Sequence, residues 1–86
     1  MGLYKPLPTT TSAYAKDSSN DEYFGEAPSG IKSSQAGWSI FKMAYTGTAW
    51  IIYFPVDTTT GKASNAPKFV WSSATTGAYT YQELGT

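Results

Sequence analysis

The residue types that carry most enzyme chemistry are sparse in this chain. It has no histidine and no cysteine, which rules out a Ser-His-Asp triad, a cysteine nucleophile and the common kinds of zinc site. Asp21, Glu22 and Glu26 lie close enough in sequence to gather a hard cation, but their spacing matches no calcium loop. Glycoside hydrolysis needs two carboxyl groups held apart across a cleft. The acids here fall in turns, in the N-terminal stretch or near the C-terminal end, where solvated surface is the simpler reading. The chain is therefore expected to be no enzyme, with no catalytic residue, metal or cofactor. What remains is aromatic chemistry, since 16% of the residues are Phe, Trp or Tyr. Trp38, Trp50, Trp71 and the Tyr79/Tyr81 pair could form a stacking platform for sugar rings or bases, or the core of a domain short of aliphatic side chains. Core is the reading adopted for Trp50 and Trp71; Trp38 and Tyr53 stay open between core and contact surface.

Composition narrows the partners. Six lysines balance six acids and arginine is absent, so there is no basic footprint for nucleic acid or for an anionic membrane. No run approaches the roughly 20 apolar residues of a membrane span, and the Pro-containing N-terminus shows no signal-peptide core. A soluble chain without an export signal of its own is expected. At 86 residues it has room for one domain and little core to spare.

The elements that must position the aromatics centre on Ala36 to Val56, the densest apolar run, divided by Thr46-Gly47. Strand-type residues on both sides of such a pair predict a β-hairpin. With Thr46 and Gly47 as its two turn residues, Tyr45 faces Thr48, Met43 faces Trp50, Phe41 faces Ile52 and Ser39 faces Phe54. Alternation then puts Phe41, Met43, Tyr45, Trp50, Ile52 and Phe54 on one face, read as the core. Trp38, Ile40, Lys42, Ala49, Ile51 and Tyr53 form the other, too apolar to be left wholly to water. A hairpin apolar on both sides needs cover on both, from its own chain or another.

Around the hairpin, Met1 to Asn20 carries Pro6 and Pro8 and a Thr/Ser/Ala stretch without helical periodicity. It reads either as a disordered tail or as an extended arm that orders against a neighbour through Leu3, Tyr4, Leu7 and Tyr14. A short strand is expected at Tyr23-Phe24, another at Lys68–Ser72 with Phe69 and Trp71 on one face, and a last one at Ala78–Glu83. Three Thr-Gly pairs, at Thr46-Gly47, Thr60-Gly61 and Thr76-Gly77, separate the later strands. The prediction is an all-β fold: a small antiparallel meander, open barrel or sandwich of about 4–5 strands. The division expected is an arm over residues 1–20 and a β domain over 21–86.

Three stretches carry a resemblance: Y-F-G-E-A-P-S-G at Tyr23–Gly30, S-S-Q-A-G-W-S-I at Ser33–Ile40, and F-V-W at Phe69–Trp71 followed by a Tyr-rich close. Together they resemble small accessory structural proteins of tailed-bacteriophage virions. The resemblance runs from about Tyr23 to Tyr81 and does not include the arm. Ser39 stands where a basic residue is common, and Ser72-Ser73 where an Asp-containing turn is common. The resemblance implies a virion component, assembled in the host cytoplasm, with other virion proteins and copies of itself as partners. The expected function is a capsid decoration or cement protein; the alternative is a tail- or fibre-associated adaptor or a receptor- or glycan-binding module. Partner contacts are expected at Leu3, Tyr4, Leu7, Tyr14, Trp38, Ile40, Ile51 and Tyr53.

Overall fold

A computed structural model of the chain describes residues 9–85. Its chain order begins with β1 (Thr10–Lys16), β2 (Glu22–Pro28), β3 (Ala36–Tyr45) and β4 (Trp50–Asp57). Three two-residue strands follow: β5 (Lys62–Ala63), β6 (Phe69–Val70) and β7 (Tyr81–Gln82). A 3-10 turn at Trp71–Ser73 sits between β6 and β7. The first five strands are neighbours in sequence order, each antiparallel to the next; β6 pairs with β3 and β7 with β4. The antiparallel meander is therefore the fold, with short strands added at its far end.

Thr10–Lys16 is part of that sheet, not of a detached arm. It pairs with β2 over its whole length, from Thr10 opposite Pro28 to Lys16 opposite Glu22. The connection is an Asx turn. Asp17 Oδ1 accepts from the N–H of Ser19 at 2.8 Å and of Asp21 at 3.1 Å, and Asn20 takes a left-handed φ of 67°. Asp and Asn fold back on their own backbone in this way, and Asn tolerates that conformation. The division expected at residue 20 does not appear in the sheet.

The central hairpin forms with a longer loop than the two-residue turn. Tyr45 opposes Trp50, Met43 opposes Ile52 and Lys42 opposes Tyr53. Thr46 closes the four-residue loop, its N–H and its hydroxyl both donating to the Ala49 carbonyl at 2.9 and 3.1 Å. Gly47 supplies the positive φ of 96° that the reversal needs. The register differs from the expected one by two residues, and a two-residue shift returns every side chain to the same face.

Which of those faces is buried is reversed. Beyond Lys42 and Tyr53, β3 continues beside β6 while β4 continues beside β7 and β5. The segment from Phe69 to Tyr81 thereby covers the side of the sheet carrying Trp38 and Ile40. The core there is Tyr23, Ala27, Trp38, Ile40, Phe69 and Ala74, with Ala13, Ala15, Ile31, Trp71, Tyr79 and Tyr81 packed on it. Trp38 is 4% exposed and Ile40 1%, whereas Trp50, expected in the core, is 48% exposed. Small residues make the covered face. The Trp71 ring lies so close to Gly25 that a Cβ there would stand 2.5 Å from Trp71 Cε3 and 3.1 Å from Trp38 Cε3. Ala13, Ala15 and Ala27 leave room in the same way for large rings from the covering segment.

Hydrogen bonds fix that cover. Trp38 Nε1 donates to the Lys32 carbonyl at 3.0 Å, Tyr81 Oη to the Ala74 carbonyl at 2.8 Å, and the Val70 N–H to Tyr79 Oη at 2.8 Å. Asp57 ends β4, accepting from the N–H of Thr59 at 2.9 Å and pairing with the Lys68 ammonium that leads into β6. The strands expected at Lys68–Ser72 and Ala78–Glu83 are reduced to β6 and β7. Phe69 and Trp71 nevertheless both reach the core, because the 3-10 turn rolls Trp71 onto Gly25.

Candidate functional site on the open face of the sheet

The opposite side of the meander is left bare among the described residues. Tyr14 of β1 opposes Phe24 of β2, and Phe24 opposes Phe41 of β3. Phe54 of β4 continues the row. Successive ring centroids lie 5.3, 5.0 and 6.2 Å apart, the first pair edge-on and the second stacked. Such spacings are those of attractive aromatic pairs, so the ladder holds its own geometry across four strands. Met43 and Ile52 form the next row, and Tyr45 and Trp50 the last, with their rings 5.1 Å apart. Tyr45 Oη donates to the Gly47 carbonyl at 3.0 Å, which steadies that corner. Tyr14, Tyr45, Trp50 and Ile52 are between 45% and 57% exposed.

On the other side of the ladder the row Ser12, Glu26 and Ser39 replaces rings with short or polar side chains. The step down from Phe24 and Phe41 to this row makes a groove of about 340 Å³. Ser12, Glu26 and Ser39 line the groove together with Phe24 and Phe41. This arrangement offers stacking and apolar contact with a few hydrogen-bonding groups at its margin. It is the composition of a contact surface.

The residues expected to contact a partner are dispersed. Leu3, Tyr4 and Leu7 lie outside the described residues. Tyr14 stands at the outer end of the ladder on the open face. Trp38 and Ile40 are corrected: both are in the chain's own core and present no surface to a partner. Ile51 and Tyr53 share their side of the sheet and are half-buried, Ile51 opposite Ala44 and Tyr53 opposite Lys42. The Lys42 ammonium lies 5.2 Å from the ring centroids of both Tyr53 and Tyr81 and 3.8 Å from Asp21. The rings and the carboxylate together hold its charge. Phe24, Phe41, Tyr45, Trp50 and Ile52 are open-face residues that the sequence reading did not place among its candidate contacts. The hairpin alternation placed the last four on one face correctly but assigned that face to the core.

One ring of the open face has a displaced pKa: partial desolvation and then the neighbouring Glu22 carboxylate push the Tyr14 phenol up. The other displaced groups are structural and lie away from that face. Burial, and then the Asp17 carboxylate that accepts its hydroxyl at 2.8 Å, push the Tyr23 phenol up. Burial does the same for Tyr81. Partial desolvation works to raise Asp17, but the Tyr23 hydroxyl and the N–H groups of Asp21 and Ser19 outweigh it and leave the carboxyl below its usual range. Asp57 is lowered chiefly by its hydrogen bond from Lys68. Among the described residues no three His, Cys, Asp or Glu side chains gather as a metal site would require. No protein-family model, no curated protein and no solved structure matches this chain.

Proposed function

We propose that this protein is a non-enzymatic structural component of a tailed-phage particle, a decoration or cement protein that binds the capsid shell through the open face of its sheet. One observation carries the reading: a ladder of aromatic side chains, already ordered by packing on one another, is covered by no other segment of the described residues, while the sheet's other face is covered. Rings held in place lose little freedom on binding, and removing them from water contributes about 25 cal/mol per Å². Such a surface suits lasting protein contact. The resemblance in sequence supports the same reading through the fold. Its three stretches supply Tyr23, Ala27, Trp38, Ile40 and Phe69, five of the six residues of the buried core. The mechanism is mass action, since a protein that binds only the assembled shell stabilises that shell.

The copy number of the chain in purified particles, measured by quantitative mass spectrometry, tests this. Hundreds of copies, as a lattice of shell sites provides, support decoration. Absence from the particle removes the reading. A number matching the small cyclic symmetry of a tail supports the second reading, an adaptor or glycan-binding module. The exposed Tyr45–Trp50 pair favours that alternative, because two rings at 5.1 Å on a loop-proximal corner offer a stacking surface to a sugar ring.

A further inference from the structure

The two edges of the sheet are unlike. β5 closes one edge with two residues, one of them Lys62. β1 forms the other with seven residues in unbroken register against β2, without a bulge or a proline, and its one charge, Lys16, is at the end. Natural sheets shorten, bulge or charge their edges to prevent pairing with another chain. β1 has almost none of these devices.

The bonding groups that find no partner strand among the described residues can be assigned. At one end of β1 the Thr9 carbonyl accepts from the Ser29 N–H at 3.0 Å, and just beyond the other the Asp17 N–H donates to the Asp21 carbonyl at 3.1 Å. In an antiparallel ladder alternate residues bond a given neighbour. The odd-numbered residues therefore bond to β2, and Thr10, Ser12, Tyr14 and Lys16 direct their N–H and C=O groups outward.

We infer that β1 pairs antiparallel with β1 of a second copy, Ser12 opposite Tyr14 and Thr10 opposite Lys16, making one continuous sheet across a two-fold axis. This register uses every outward bonding residue of β1 and sets no like charges opposite one another. The axis stands perpendicular to the sheet, so both open faces look the same way and the two aromatic ladders join at Tyr14. Each Tyr14 then stands opposite Ser12 of the other copy, at the mouth of the groove that Ser12, Glu26 and Ser39 form. The feature that projects from one copy meets the hollow in the next. β5 is too short to receive β1, so head-to-tail growth is blocked and the assembly closes as a dimer. The inference is independent of which particle or partner the joined face meets.

The test is light-scattering mass on the full chain at roughly 0.1 mM, together with two kinds of variant. The expected mass is twice the 9.3 kDa of the chain. Ser12→Pro removes an outward N–H and no bond to β2, and proline is tolerated at such an edge position; the mass should halve with the β-type circular dichroism retained. Mixing Ser12→Cys with Tyr14→Cys and oxidising should give a disulfide-linked pair, because residues opposite one another lie about 5.5 Å apart, within disulfide reach. The chain has no other cysteine to compete. A monomeric parent overturns the inference and returns the edge to a strand of another protein. A dimer that Ser12→Pro leaves intact, or that forms no mixed disulfide, overturns it equally. If Ser12→Pro does not fold, the mixed disulfide decides alone.

Discussion

Both faces of this sheet carry large apolar side chains, and the two meet opposite fates. On one side Gly25, Ala13, Ala15 and Ala27 make a floor into which Trp38, Trp71, Phe69 and Tyr81 settle. On the other, Tyr14, Phe24, Phe41 and Phe54 stand in a row and support one another, with no later segment of the described chain laid over them. Burial within the chain followed shape more than hydrophobicity. A surface of mixed small and large residues accepts a covering segment at close-packed density, while a ridge of rings accepts only a partner shaped to it. Such a ridge is well placed for contact between molecules.

The contrast is sharpest between two tryptophans. Trp38→Ala should cost about 3–5 kcal/mol in urea unfolding, as a core truncation that also orphans the Lys32 carbonyl. A loss below about 1 kcal/mol would mean that the covered face is not the core. Next in size, Gly25→Ala should cost about 1–3 kcal/mol by forcing the Trp71 ring off the strand. If Trp71 is the cause, Gly25→Ala combined with Trp71→Leu will cost less than the sum of the two single changes. Strictly additive costs would break the contact.

Acid separates the faces by another route. Asp17 and Asp57 both serve the fold's frame, and each has a folded pKa below its unfolded value. Their contribution is complete above the unfolded carboxylate pKa of about 3.9 and is lost as pH falls through the lower folded values. Melting temperature should hold at neutral pH and fall in that acid range, less so in Asp57→Asn. Equal slopes for parent and variant would remove Asp57 from this account. The smallest expected effect on stability is at Trp50→Ala, about 1 kcal/mol or less, the worth of its exposed pairing with Tyr45. If the open face binds the shell as proposed, the same change should weaken binding to purified particles at least tenfold. A variant that melts far below the parent but binds normally would reverse the roles assigned to the two faces.

Much of the framework was legible residue by residue. Gly47, Gly61 and Gly77 of the three Thr-Gly pairs all take positive φ, as turn chemistry requires. The hairpin's grouping of side chains survived its change of loop length, because the register moved by an even number of residues. β1 escaped notice because its inward side chains are Ala13 and Ala15, too small to read as an apolar stripe. The Asp17–Asn20 turn was nonetheless present in sequence as D-S-S-N. The buried face was misassigned for a related reason. Counting apolar side chains favoured the face with Trp50, whereas the room left by Gly25 and the alanines selected the other.

Alternation of side chains, turn residues and the absence of helical periodicity are local properties, so the amino-acid sequence by itself determined an antiparallel all-β meander and the partition of its hairpin into two faces. The choice of the buried face belongs to the tertiary structure. It depends on where β3 and β4 part, on the path of Phe69 to Tyr81 across the gap, and on a 3-10 turn that sets Trp71 against Gly25. Those contacts join residues dozens of positions apart, and no local periodicity encodes which side of a sheet a distant segment will cross.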